Sequence, residues 1–162
     1  MSTLGRRMIT GSIFVTVMTA GIYGGPYTFL ALFGVIATLS LWEFFGLALD
    51  VKGNAGKIRQ VLSVLAGLIP FAFMSIQVLW GKDLPYNYAH GILALLLAFF
   101  VMMLLELNGQ SESPFQNLAY LALGVLYLGA PFALMVAISF PSGSDYQPNV
   151  MMSLLLLRDR KS

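Results

Sequence analysis

Long apolar runs, separated by short polar or glycine-rich breaks, dominate this chain, and their lengths predict helices that cross a bilayer. A helix rises 1.5 Å per residue, so about 20 apolar residues span about 30 Å of hydrocarbon with every backbone N–H and C=O paired inside the segment. Residues 8–23, 26–49, 61–80, 88–107 and 115–140 are runs of this kind. The first is short, and its Ser12, Thr16 and Thr19 recur on one face, which predicts packing against a neighbouring helix. Gly24-Gly25-Pro26 then predicts a tight hairpin into the second run, with proline at a first helical position where its missing N–H does no harm. Gly21 and Gly25, spaced by four, predict a close helix contact.

The breaks carry their own signals. Residues 50–60 hold Lys52, Lys57 and Arg59 around Gly53-Asn54-Ala55-Gly56 and read as a solvated loop. Pro70 predicts a kink in the third run, and Trp80 ends that run where a headgroup layer is expected. Tyr86, Tyr88 and Glu106 mark the boundaries of the fourth. Ser113, Pro114 and Gln116 form a capping-box pattern for the fifth, which is expected to kink near Pro131. After a polar loop at 141–149, the apolar run 150–157 would rise only about 12 Å as a helix, too little to cross. These patterns predict an all-α, polytopic membrane protein. Residues 1–162 read as a single membrane domain with about five transmembrane helices and a truncated sixth.

Composition strengthens this reading. With 58% hydrophobic and 10% charged residues and a mean hydropathy of +0.81, the chain departs from the about 45–50% apolar and 25% charged of soluble domains. Arg6 and Arg7 precede the first run, but no A-x-A-like site follows it, so a retained anchor is expected rather than a removed leader. A cytoplasmic N-terminus would place Arg6, Arg7, Lys52, Lys57 and Arg59 inside, against Lys82 alone in the outer loops before residue 149. Arg158, Arg160 and Lys161 would join that side only with a complete sixth helix.

Charge and chemistry narrow the function classes. A net charge of +2 predicts no nucleic-acid partner. The absence of Cys and the single His exclude disulfides, thiolate nucleophiles, Cys-ligated metals and a multi-histidine cage within these residues. Neither a phosphate-cradling glycine loop, a nucleophile set nor a cluster of Asp residues is present, so no catalytic or metal-ligating residue is expected in 1–162. Glu43 lies about six residues from the end of the second run, roughly 9 Å along its axis. Such a carboxylate either pairs with Arg6, Arg7 or a loop cation, or meets a substrate or metal. Arg6 and Arg7 are candidates for a lipid phosphate, which guanidinium groups grip bidentately, and serve equally as topology signals. His90 reads as an interfacial hydrogen-bonding group.

Leu4-Gly5-Arg6-Arg7-Met8-Ile9-Thr10-Gly11, Gly25-Pro26, Leu41-Trp42-Glu43-Phe44 and Tyr127-Leu128-Gly129-Ala130-Pro131-Phe132 together resemble the N-terminal part of bacterial phosphatidate cytidylyltransferases, or CDP-diglyceride synthetases. The resemblance covers about residues 4–157. It implies a multi-pass protein of the bacterial inner (cytoplasmic) membrane in phospholipid biosynthesis. It also implies transfer of CMP from CTP to phosphatidate, releasing pyrophosphate, with Mg2+ as the cofactor of the full-length family. The family's carboxy-terminal signature, an Asp-containing stretch with Ser-Pro-Lys-Lys-Thr-like and Lys-Asp…Gly-Gly…Asp-Arg segments, is not in this sequence. The expectation is therefore a non-catalytic membrane half, inactive alone and without a cofactor of its own. Its expected partners are membrane lipids, phosphatidate among them, CTP only with the missing half, and a second copy in a homo-oligomer. The alternative is a small non-enzymatic membrane scaffold or transporter subunit.

Overall fold

The computed structural model describes residues 3–49, 53–80, 88–108, 113–140 and 146. Its elements are α1 (Thr3–Tyr23), α2 (Pro26–Ala48), α3 (Gly53–Trp80), α4 (Tyr88–Asn108), α5 (Pro114–Gly124), a π-helical turn (Val125–Gly129) and α6 (Ala130–Ser139). The last three run on as one rod. Four segments, Pro26–Ala48, Gly56–Trp80, Ala89–Asn108 and Pro114–Ser139, are long and apolar enough to cross a membrane, and Met8–Tyr23 of α1 is a shorter apolar helix. The protein is thus an all-α polytopic membrane bundle. The expected sixth segment, 150–157, lies outside the described residues.

Helices in lipid gain no hydrophobic drive from meeting one another, so close van der Waals contact between small residues holds them together. α3 is the central member and packs on α2, α4, α5, the π turn and α6, whereas α1 touches α2 alone among the described elements. Where the π turn crosses α3 backbone to backbone, a Cβ added to Gly129 would stand 2.4 Å from the Gly67 carbonyl oxygen. Pro131 explains the π turn beside it. Proline lacks an N–H and crowds the carbonyl four residues back, and the wider turn, in which the Ala130 N–H donates to the Val125 carbonyl, relieves that crowding. The disturbance expected near Pro131 therefore takes this form, while α3 stays helical on both sides of Pro70.

Two apolar clusters stack along the bundle. Leu41, Phe45, Val64, Met102, Leu118 and Leu121 fill the end where α2 closes and α3 opens with Lys57 and Arg59, hereafter the basic end. Phe29, Leu30, Phe33, Phe71, Val136 and Phe140 fill the other.

Local expectations fail where a tertiary partner takes over. α3 starts at Gly53 and not near residue 61, because its first two turns carry Arg59 and Gln60 into contacts with other helices. Ser12, Thr16 and Thr19 meet no neighbouring helix among the described residues: they lie exposed, and the two threonine hydroxyls donate to the Ser12 and Val15 carbonyls of their own helix. Ser113 does occupy the N-cap of α5, with Pro114 behind it, but its side chain makes no capping hydrogen bond. Gln116 instead donates to the Tyr120 hydroxyl. Gly21 makes the predicted close contact, against Leu32 of α2. Gly25, by contrast, is the turn residue, with a φ of 111° that L side chains rarely adopt.

Tyr146 closes the end opposite the basic one. Ile22 would ordinarily accept from the N–H four residues on, but that residue is Pro26, so its carbonyl is orphaned. The Tyr146 hydroxyl donates to it, and its ring packs on Phe29 and Phe140. Burial, with Tyr23 nearby, raises the Tyr146 pKa above 10.0. A raised phenol contributes stability below its unfolded pKa and loses it as pH climbs through the folded value. Tyr146→Phe is expected to cost about 1 kcal/mol and to flatten the alkaline decline above about pH 10. Thermal unfolding of both proteins from neutral to alkaline pH checks this.

Candidate polar site and apolar groove at the basic end

Three helix ends converge on one buried carboxylate. Glu106, in the last turn of α4, is 2% exposed. One of its oxygens accepts from Arg59 Nε of α3, and the other accepts from Asn117 Nδ2 of α5 at 3.0 Å. An isolated carboxylate in such a place costs several kcal/mol, and pairing with a cation plus a further donor is what makes it tolerable. Beside this triad, Gln60 Nε2 donates to the Trp42 carbonyl at 2.9 Å. It fits there because Gly46 has no side chain; a Cβ at that position would be 3.0 Å from the Gln60 nitrogen. Arg59 and Gln60 therefore tie the opening of α3 to α4, α5 and α2.

The guanidinium is held from one side. Glu106 approaches it at Nε, and the Arg59 side chain is 18% exposed. Among the described residues, Glu106 is the acceptor that this side chain meets.

The same three helix faces carry an apolar groove further along the bundle. Ala66 lies seven residues from Arg59, Phe99 seven from Glu106 and Leu121 four from Asn117, spacings that return to the same helix face. All three line a cavity of about 300 Å3 between α3, α4 and α5. A second, of about 230 Å3, continues it past Pro70 and Phe73 to Ala133, sharing Ile92 and Leu95. The trough exists because α4 packs on α3 and α5 but makes no contact with the π turn or α6, so among the described residues the bundle is open on that side.

A family model, described as the cytidylyltransferase family, matches residues 5–159, almost the whole chain. The chain belongs to this family, that of the phosphatidate cytidylyltransferases. No curated protein and no solved structure matches it significantly.

In this family member the residues singled out in the sequence are scattered. Glu43 lies exposed on α2, and no hydrogen bond or ion pair joins it to another described residue. Arg6 and Arg7 fall in the first turns of α1, and their side chains lie outside the described set. His90 is exposed in the first turn of α4. Divalent-cation chemistry needs several convergent oxygen donors. The described carboxylates do not fit that need, since Glu106 is committed to Arg59 and Asn117 while Glu43 stands apart.

Sequence reasoning missed the triad itself. Its signal was present: Glu106 interrupts Leu104-Leu105-Glu106-Leu107, and Asn117 sits directly before Leu118. A polar residue inside each apolar run, near ends that a short connection joins, is the pattern of mutual satisfaction.

Proposed function

We propose that residues 1–162 form the lipid-holding membrane domain of an enzyme that transfers CMP from CTP to phosphatidate, giving CDP-diacylglycerol and pyrophosphate for phospholipid biosynthesis. The family match over residues 5–159 carries this reading. The lateral groove supports it, because a diacyl substrate has to enter from the bilayer and needs an apolar trough open to lipid. Nucleotide transfer, with Mg2+ to neutralise the phosphates, falls to residues other than these, as the acidic signature of the family is not in this stretch. The charge bias of Arg6, Arg7, Lys52, Lys57 and Arg59 along the sequence supports a cytoplasmic side, in a bacterial inner membrane where CTP is found, for the end that carries Lys57 and Arg59.

Two assays on the purified chain test the reading. In lipid nanodiscs with CTP, phosphatidate and Mg2+, formation of CDP-diacylglycerol is expected to match a mock preparation. Native mass spectrometry is expected to show phosphatidate retained in preference to phosphatidylcholine of the same acyl chains. Turnover above the mock would refute the division of labour, and equal retention of both lipids would refute the lipid-holding role.

A further inference from the structure

We propose that Arg59 is the phosphate anchor of this lipid site, gripping the headgroup phosphate of an anionic glycerolipid whose acyl chain lies in the groove beyond Ala66. The proposal rests on the lipid-holding reading above and moves the anchor away from Arg6 and Arg7.

Three observations converge on it. First, Arg59 is held in place: Glu106 grips its Nε and is itself fixed by Asn117. A guanidinium oriented in this way loses little freedom on binding, and its planar fork matches two phosphate oxygens. Second, the Arg59 side chain is 18% exposed, so it is not sealed inside the bundle. Glu106 can occupy Nε and at most one Nη, so N–H donors remain for an anion. Third, Ala66 lies on the Arg59 face of α3, seven positions further on, a rise of about 10 Å. A polar anchor followed by an apolar trough open to the side has the form of a single-tailed grip on a lipid.

Lipid phosphate and nucleotide phosphate share this chemistry, and the groove assigns the site to the lipid. A phosphate monoester, with up to two negative charges and three free oxygens, meets the remaining guanidinium donors better than a diester headgroup with one charge.

The test uses Arg59→Gln/Glu106→Gln, which removes both charges together and so leaves no unpaired ion in the bundle. Thermal unfolding confirms that the variant folds, and Arg59→Lys provides a second probe that keeps the charge but loses the fork. Binding is read by native mass spectrometry in detergent with phosphatidate, diacylglycerol of the same chains, and CTP. The double variant is expected to lose phosphatidate affinity by about tenfold or more while its diacylglycerol binding stays unchanged. The lysine variant is expected to fall between the two. Ala98→Phe, which fills the groove, is expected to weaken both lipids alike. Unchanged phosphatidate affinity in a folded double variant would overturn the proposal, and so would loss of CTP binding with phosphatidate unaffected. If wild-type protein shows no phosphatidate preference, the broader lipid-holding reading fails before Arg59 is at issue.

Discussion

Replacing Glu106 with alanine is expected to be the most damaging single change at the basic end. The substitution deletes the acceptor for both Arg59 and Asn117 and leaves a guanidinium charge in a largely apolar setting. Breaking a fully buried pair in this way costs about 3–5 kcal/mol. Because the Arg59 side chain keeps 18% of its exposure, a loss of about 2–4 kcal/mol is expected after allowing for screening. Arg59→Gln/Glu106→Gln should recover much of that loss, since neutral amides refill the space without an orphaned ion. Denaturant unfolding in mild detergent, run as a double-mutant cycle, gives the coupling directly. A Glu106→Ala protein as stable as wild type would mean that the triad does not hold the three helix ends together.

The second large effect is expected at Gly129, for a reason of shape alone. A methyl group there would lie 2.4 Å from the Gly67 carbonyl oxygen, a backbone atom that cannot rotate aside. α3 and the last span must then separate, and overpacking of this kind costs about 1–3 kcal/mol for alanine. Leucine at the same position is expected to prevent the crossing altogether. Gly21→Ala supplies the contrast, because its clash at 2.1 Å is with Leu32 Cδ2, the far end of a flexible side chain. Thermal unfolding should therefore rank Gly129→Leu as least stable, then Gly129→Ala, then Gly21→Ala. A Gly129→Ala variant no worse than Gly21→Ala would show that the crossing is looser than described.

Much of the fold was legible because a bilayer imposes one rule, satisfaction of every backbone polar group within an apolar segment, and that rule writes itself into run lengths. The second, fourth and fifth apolar runs emerge as helices close to where hydrophobicity places them. Legibility ends where a local signal competes with a distant partner. Lys57 and Arg59 beside four small residues have the look of a solvated loop, yet α3 reaches back to Gly53 because Glu106 and the Trp42 carbonyl are waiting for Arg59 and Gln60. The capping pattern at Ser113 is similar. It marks the right start for α5, but Tyr120 competes successfully for the Gln116 amide.

The candidate site was the least legible part. Glu43 drew notice because a carboxylate in a span is conspicuous, whereas Glu106 looked like an ordinary boundary residue. The structure sets the two apart: Glu106 is buried and doubly bonded, and Glu43 is exposed. Periodicity places a residue on a helix face, but three helices must be assembled before Arg59, Glu106 and Asn117 are seen to share one point. The groove is hidden for the same reason, since it arises from the lack of contact between α4 and α6 rather than from any motif.

The central claim is that a lipid tail occupies this groove, and photo-crosslinking tests it most directly. Phosphatidate carrying a diazirine near the middle of one acyl chain would be irradiated with the purified protein, and the modified peptides identified by mass spectrometry. Label concentrated on α4 around Ile92 and Leu95 and on Val125 and Leu126 of the π turn, competed by unlabelled phosphatidate, is the predicted result. Label spread over the exposed face of α1 and the outer residues of α2, with no competition, would contradict it.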